Sequence, residues 1–222
     1  MIELVRLPGG DAFAAAAADR LAAELDACLS GGRSAHVALS GGSTPWPVLA
    51  ELATRPLDWS RLHVWQVDER VAPAGDPARN LSGLQTALVD RVPVVLHAMP
   101  VGAPDLDAAA EAYAGALPER FDLVHLGLGD DGHTASLVPG DPVLAVADRL
   151  VATAGPYGGH RRMTLTLPAL DAARLVVWLV RGSGKAAMVA RLLAADPTIP
   201  AGRVRAERSI VLTDGATDAA SG

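Results

Sequence analysis

A single cysteine, Cys28, leaves this chain unable to close an intramolecular disulfide, the usage expected of a protein kept in a reducing compartment. Lysine is equally scarce: among nineteen Lys plus Arg residues, Lys185 is the only lysine. Where arginine supplies the cationic charge, one isolated ammonium stands out as a candidate for a specific task. No run of Lys and Arg is long enough to form a nucleic-acid footprint, and the formal charge is −6, so nucleic acid is not an expected partner. No apolar run approaches the ~18 residues of a membrane-spanning helix. The opening MIELVRLPGGDAF has early acidic residues and no long apolar segment, so no signal peptide is expected. These absences lead to the expectation of a soluble, cytoplasmic protein with no membrane partner. Internal repeats, heptads and low-complexity linkers are missing as well.

What is present is 222 residues, half of them apolar, enough to bury a real core. Short β-rich runs near 2–6, 35–39, 62–67, 93–98, 121–126, 162–167, 174–180 and 209–212 alternate with helical patterns near 10–29, 46–54, 79–90, 105–116 and 184–194. Such alternation predicts α/β: a Rossmann-like, mostly parallel sheet with helices on both faces. The nearly continuous apolar run 174–180 fits a strand buried on both sides. One α/β domain over residues 1–213 is expected, with DGATDAASG, 214–222, as a frayed tail.

Four constellations carry chemistry. In LSGGSTP, 39–45, a strand ends in glycines that admit close backbone approach, and Pro45 suits a first helical turn with Thr44 as its cap. Free N–H groups there, with the hydroxyls of Ser43 and Thr44, would make an anion nest beside Gly41 and Gly42. The Gly-Lys-Ser/Thr ending of a triphosphate-binding loop is missing. VDER, 67–70, follows an apolar strand; Asp68 would accept a sugar hydroxyl and Arg70 would hold an anion, although alone the segment reads better as a solvated, salt-bridged loop. GSGK, 182–185, offers a second nest with Lys185 at a helix start, and Arg161-Arg162 entering MTLTLP adds a cationic site.

The densest stretch is FDLVHLGLGDDGHTASLVPG, 121–140. Its strand stops at Gly127, where a helix would be expected to follow, and ligands of open α/β sheets bind beyond such strand ends. Gly127, Gly129 and Gly132 match a dinucleotide fingerprint by letter, but Asp130 and Asp131 would place negative charge beside a pyrophosphate. The better reading pairs Asp131 with His133 across a glycine that permits a tight turn. A neutral imidazole is the natural general base near pH 7, and a carboxylate can orient it.

In this order, LSGGSTP, VDER, GLGDDGHTASLVPG, RMTLTLP and GSGK resemble the 6-phosphogluconolactonases of the glucosamine-6-phosphate isomerase/6-phosphogluconolactonase family, over nearly the whole chain. The resemblance implies the sugar-phosphate variant of the Rossmann-like fold. It also implies hydrolysis of 6-phosphoglucono-1,5-lactone to 6-phosphogluconate in the oxidative pentose phosphate route. No metal or organic cofactor is implied, and the one implied partner is the small sugar-phosphate lactone, acted on by a monomer or homodimer. By the same resemblance His133 activates water, Asp131 orients it, and Asp68 and Arg70 line sugar and phosphate. Gly41, Gly42, Ser43 and Thr44, with Arg162 and Lys185, hold the phosphate. Two positions depart from the family pattern. Val138 stands where Phe is usual, and Arg79-Asn80 stands for Ser-Asn, leaving Asn80 as the ligand contact. The oxyanion holder stays open between glycine-turn N–H groups and Arg70. Aminosugar-phosphate deaminases look alike at the glycine turn and Asp-Gly-His but carry an acid where this chain has Val138. A non-catalytic sugar-phosphate effector domain would be expected to bring a DNA-binding module, for which the chain has no room, and to lack the intact Asp131/His133 pair.

Overall fold

The computed structural model describes residues 2–215. In chain order its elements are β1 (Ile2–Arg6), α1 (Ala12–Leu29), β2 (Ala35–Leu39), α2 (Pro45–Leu52), β3 (Leu62–Gln66), β4 (Asp68–Arg70), α3 (Asn80–Leu84) and β5 (Val95–His97). They continue with α4 (Leu106–Ala116), β6 (Leu123–Leu126), β7 (Val151–Tyr157), β8 (His160–Leu165), α5 (Leu167–Asp171), β9 (Leu175–Val180), α6 (Ala186–Leu193) and β10 (Arg208–Thr213).

Seven strands form one sheet in the order β1-β10-β9-β6-β2-β3-β5, every neighbouring pair parallel. Side chains alternate across a strand, so Ala38, Trp65, Val124 and Trp178 enter one core layer while Val37, Val64, Leu123 and Val177 enter the other. Helix α1 buries Phe13, Ala17, Leu21, Leu25 and Leu29, one stripe at helical spacing, and together with α2 covers the second layer. The first layer is covered by α4, α5, α6 and a small second sheet. From β2 the chain builds outward through β3 to β5, then crosses back to β6, β9 and β10. The order therefore reverses between β2 and β6, the switch point at which diverging loops open a crevice.

The second sheet, β4-β8-β7, is antiparallel and changes the reading of VDER. The segment is a strand, not a solvated loop: Asp68 and Glu69 are buried. The chain switches sheets at Val67, whose N–H donates to Leu39 in the main sheet and whose carbonyl accepts from Leu165 of β8. Strands β7 and β8 are joined by Gly158-Gly159, both at positive φ (57° and 83°), as a two-residue type I′ hairpin requires. Other boundaries shift by a few residues. The helical pattern 79–90 becomes α3 followed by a wider turn at Gln85–Val89, and the end of RMTLTLP becomes α5. Asp214, assigned to the tail, accepts from the Gly182 N–H and pairs with Arg181; residues 216–222 of that tail lie outside the described residues. No helix among the described residues is long and apolar enough to cross a membrane.

Candidate active site

No helix follows β6. Residues 127–141 are irregular, and the next helical turn is the short Pro142–Ala145. The loop is instead closed on itself, with the Gly129 N–H donating to the His133 carbonyl at 2.8 Å and the Gly132 N–H donating to Gly129 at 3.1 Å. Gly132 sits at φ 81°, where a side chain would be strained and would meet Ile199. This turn brings Asp131 Oδ1 to 2.6 Å from His133 Nδ1 and to 3.0 Å from the His133 backbone N. An ionised carboxylate only accepts, so in the neutral imidazole Nδ1 carries the proton and Nε2 the lone pair. Partial burial pushes the Asp131 carboxyl up, but the bonds from the His133 backbone and ring outweigh it and hold it below its ordinary value. Gly129 is bound to this geometry: a Cβ there would lie 2.0 Å from His133 Nδ1. Gly129→Ala is expected to displace the ring and lower turnover by about 10²-fold, the effect of ~1 Å misplacement of a reacting group. A steady-state assay beside a thermal melt checks this; unchanged turnover would show that the ring has room.

Opposite this loop stands the second sheet. Arg70 of β4 and Arg162 of β8 are cross-strand partners, two like charges side by side, an arrangement that destabilises a sheet unless an anion is shared. Arg162 is 6% exposed, and burial followed by the Arg70 charge lowers its pKa. Its Nε and Nη2 donate to the Tyr157 carbonyl at 3.2 and 2.5 Å, leaving Nη1 for a ligand. Strand alternation turns Arg161 outward, where it is exposed, and leaves Arg162 as the member of the pair that lines the cleft. Arg70 Nη1 donates to the Ala78 carbonyl at 2.5 Å.

Asp68 is buried on the cleft floor, where Oδ2 accepts from Ser136 Oγ at 2.6 Å and Oδ1 accepts from Asn80 Nδ2 at 3.1 Å. Burial pushes its pKa up against the opposing pull of Ser136, Arg70 and Arg162. Glu69, next in sequence, is fully buried and turned inward. It accepts from Gln66 Nε2 and from the N–H groups of Arg70, Asn80 and Leu81. Two of these donors open α3, so Glu69 caps that helix from a distant strand.

The glycine turn at 40–44 lies where β2 gives way to α2. Thr44 makes no side-chain cap, while Pro45 does occupy the first turn. Helix α2 opens with Pro45, Trp46 and Pro47; the prolines carry no N–H and the Trp46 N–H donates to the Gly42 carbonyl at 3.4 Å, so the backbone that borders the cleft here is the turn Gly42, Ser43 and Thr44 ahead of the helix. Gly41 has a second reason to lack a side chain, since a Cβ would meet Asn80 Oδ1 at 2.1 Å. Beneath, the Ser40 N–H donates to His125 Nδ1 at 3.3 Å; burial pushes His125 down to about 3, so it is a neutral structural histidine. At 182–185 the proposed nest is partly filled from within, because the Gly182 N–H is taken by Asp214. Lys185 closes a short 3-10 turn just before α6. Its Nζ donates to the Leu128 carbonyl at 2.9 Å and lies 2.5 Å from Asp130 Oδ1, tying α6 to the loop that carries His133.

These elements enclose one cleft of about 380 Å³. Asp68, Arg70, Asn80, Arg162, Lys185, His133 and the Gly41–Thr44 turn border it together; Asp131 stands behind His133. Tyr157, Thr134 and Ala135 also line it and were not singled out from sequence. Among the described residues Ala135 is one of two non-glycine residues at positive φ, 52°, a local strain of the kind held at functional sites. Ser136, which holds Asp68, was likewise missed. A sequence signal for Tyr157 existed: Gly-Gly between two β-rich runs, VATAGPY and HRRMTL, marks a hairpin. Among the described residues no group of three or more His, Cys, Asp or Glu is arranged to hold a metal ion.

A switch-point cleft with a carboxylate-held imidazole on one wall and paired guanidiniums on the other defines a Rossmann-like α/β enzyme for a small anionic substrate. The chain belongs to the glucosamine-6-phosphate isomerase/6-phosphogluconolactonase family, whose model matches residues 8–213. It is 41% identical over an alignment of 235 positions to a 6-phosphogluconolactonase of Streptomyces coelicolor, covering 92% of this chain and 88% of that one. The crystal structure of a 6-phosphogluconolactonase from Thermotoga maritima superposes with a TM-score of 0.87 at 28% identity, covering 96% of this chain and 99% of that one. A monomeric glucosamine-6-phosphate deaminase superposes with a TM-score of 0.81 at 17% identity, covering 96% and 98%; that likeness speaks for the fold alone.

Proposed function

We infer that the chain hydrolyses 6-phospho-D-glucono-1,5-lactone to 6-phospho-D-gluconate, the lactonase step of the oxidative pentose phosphate route. The observation that carries this reading is the Asp131-held His133 imidazole opening on the same cleft as the Arg70/Arg162 pair. A lactone is an activated ester, so water, a base and donors for the developing oxyanion suffice without a covalent nucleophile. His133 Nε2 takes a proton from water as its oxygen attacks the lactone carbonyl carbon. The tetrahedral oxyanion then collapses, the ring C–O bond breaks, and the imidazolium returns its proton to the departing ring oxygen. Asp131 keeps the Nδ1–H tautomer and stabilises the imidazolium between the two steps. The phosphate is held by Arg162, Lys185 and the N–H groups and hydroxyls at Gly42–Thr44, and this remote binding positions the ring for attack. Arg70 or a glycine-turn N–H receives the oxyanion, while Asp68 and Asn80 accept and donate to sugar hydroxyls.

The fold is shared with deaminases and does not discriminate; the side chains do. Ring opening with proton shuttling calls for an acid–base group at the position of Val138, and valine supplies none.

The test is rate enhancement over buffer on freshly generated 6-phosphogluconolactone, with Lys185→Ala beside it. A charge-assisted hydrogen bond contributes about 1.5–3 kcal/mol, so that variant is expected to raise the apparent KM for the phosphorylated lactone by roughly 10–100-fold. On glucono-1,5-lactone without phosphate the change should stay within about twofold. An equal loss on both substrates would assign Lys185 to tethering the Leu128–Asp130 loop instead. No rate above buffer in the unmodified chain would overturn the lactonase reading.

A further inference from the structure

Tyr157 touches both halves of the cleft. Its ring meets the His133 ring edge-to-face at a centroid distance of 5.1 Å, and its hydroxyl lies 3.5 Å from His133 Nδ1. The Arg162 guanidinium carbon lies 5.7 Å from the same ring centroid, while two N–H groups of that guanidinium hold the Tyr157 carbonyl. The residue ends β7 after a register shift between Ala154 and Tyr157 and precedes the Gly158-Gly159 turn. It is 38% exposed, more than core packing needs, on the rim of the cleft.

We propose that Tyr157 is a positioning residue that couples anion binding at Arg162 to the orientation of the His133 base, so that the enzyme reads the substrate phosphate in kcat as well as in KM. Arg162 has five N–H donors and spends two on Tyr157, so it can hold the hairpin and a phosphate together. An anion on Arg162 neutralises its repulsion from Arg70 and fixes the guanidinium that carries the Tyr157 carbonyl and ring. That ring stands edge-to-face to the His133 imidazole, whose Nδ1 Asp131 holds. The hydroxyl, at 3.5 Å from a nitrogen already bonded to Asp131 at 2.6 Å, is at the limit of a hydrogen bond; the coupling therefore runs through the ring. The proposal rests on the lactonase reading above.

The experiment compares unmodified chain, Tyr157→Ala, Tyr157→Phe, Arg162→Ala and the double variant on 6-phosphogluconolactone and on glucono-1,5-lactone. The expected result for Tyr157→Ala is a loss of about tenfold in kcat on the phosphorylated lactone, in the range of coupling between neighbouring groups, and little change on the unphosphorylated one. Tyr157→Phe should restore the preference to within about twofold, and Tyr157→Ala should cost little more once Arg162 is already alanine. NMR of the His133 ring supplies a readout apart from turnover. Added inorganic phosphate should shift its signals in the unmodified chain and in Tyr157→Phe, with the shift at least halved in Tyr157→Ala. Equal kcat loss on both lactones, independent losses in the double variant, or an undiminished phosphate response in Tyr157→Ala would overturn the proposal. No lactonase activity in the unmodified chain would instead overturn the reading beneath it, and the NMR arm would still decide the coupling.

Discussion

His133→Ala is expected to lower turnover on 6-phosphogluconolactone by about 10²–10⁴-fold, the contribution of a well-placed general base, while the chain stays folded. The fold tolerates the change because His133 is a partly exposed residue at the tip of an irregular loop. What binds the loop to itself is the His133 backbone, accepting from Gly129 and donating to Asp131, which alanine keeps. The loss should therefore fall on kcat, with apparent affinity for the phosphorylated lactone largely intact, since the phosphate is assigned to Arg162, Lys185 and the Gly42–Thr44 turn rather than to His133. Initial rates corrected for spontaneous lactone opening, with circular dichroism and a thermal melt as controls, make the measurement. Turnover within about threefold of the unmodified chain would remove His133 from the role of base.

A second large effect is expected in stability rather than rate. Glu69→Ala removes the acceptor of four hydrogen bonds and the partner of Arg79, whose Nε lies 3.5 Å from Glu69 Oε2. Both side chains are buried, so the substitution strands a guanidinium and several donors, including the N–H groups that open α3. Breaking such a pair from one side costs about 3–5 kcal/mol, a large part of an ordinary domain's stability. The urea midpoint should fall accordingly at unchanged slope. A fall equivalent to less than about 1 kcal/mol would show that water or a shifted side chain replaces the carboxylate. Activity should drop as well, because the strand it anchors carries Asp68 and Arg70.

Much of the sheet was legible because parallel strands buried on both faces leave unbroken apolar runs such as LVVWLV. Of the second sheet only β8 was, as the run 162–167; β4 and β7 were not. Strand β4 is three charged residues with no apolar alternation, and only pairing with β8 makes it a strand. Strand β7 contains Gly155 and Pro156 and shifts register there, features that argue against a strand when read without its partner. Charged residues after an apolar strand normally meet solvent; Asp68 and Glu69 are buried because α3, β8 and Ser136 close over them. Thr44 failed as a cap because it already has helical backbone angles, whereas a capping residue usually does not.

By itself the sequence determined whatever is set by short covalent spacing. It placed the glycine-rich strand ends, the turn that folds Asp131 onto His133 two residues away, and the absence of an acid at position 138. The tertiary structure decided which distant groups share the cleft. It set Arg70 against Arg162, separated Arg162 from Arg161, and attached Lys185 to the His133 loop. It also turned Glu69 inward and laid Tyr157 against both His133 and Arg162. Two residues apart, contact follows from backbone geometry alone. Ninety residues apart, it follows from which strands pair and in what register, and one step of register would point Arg162 away from the cleft.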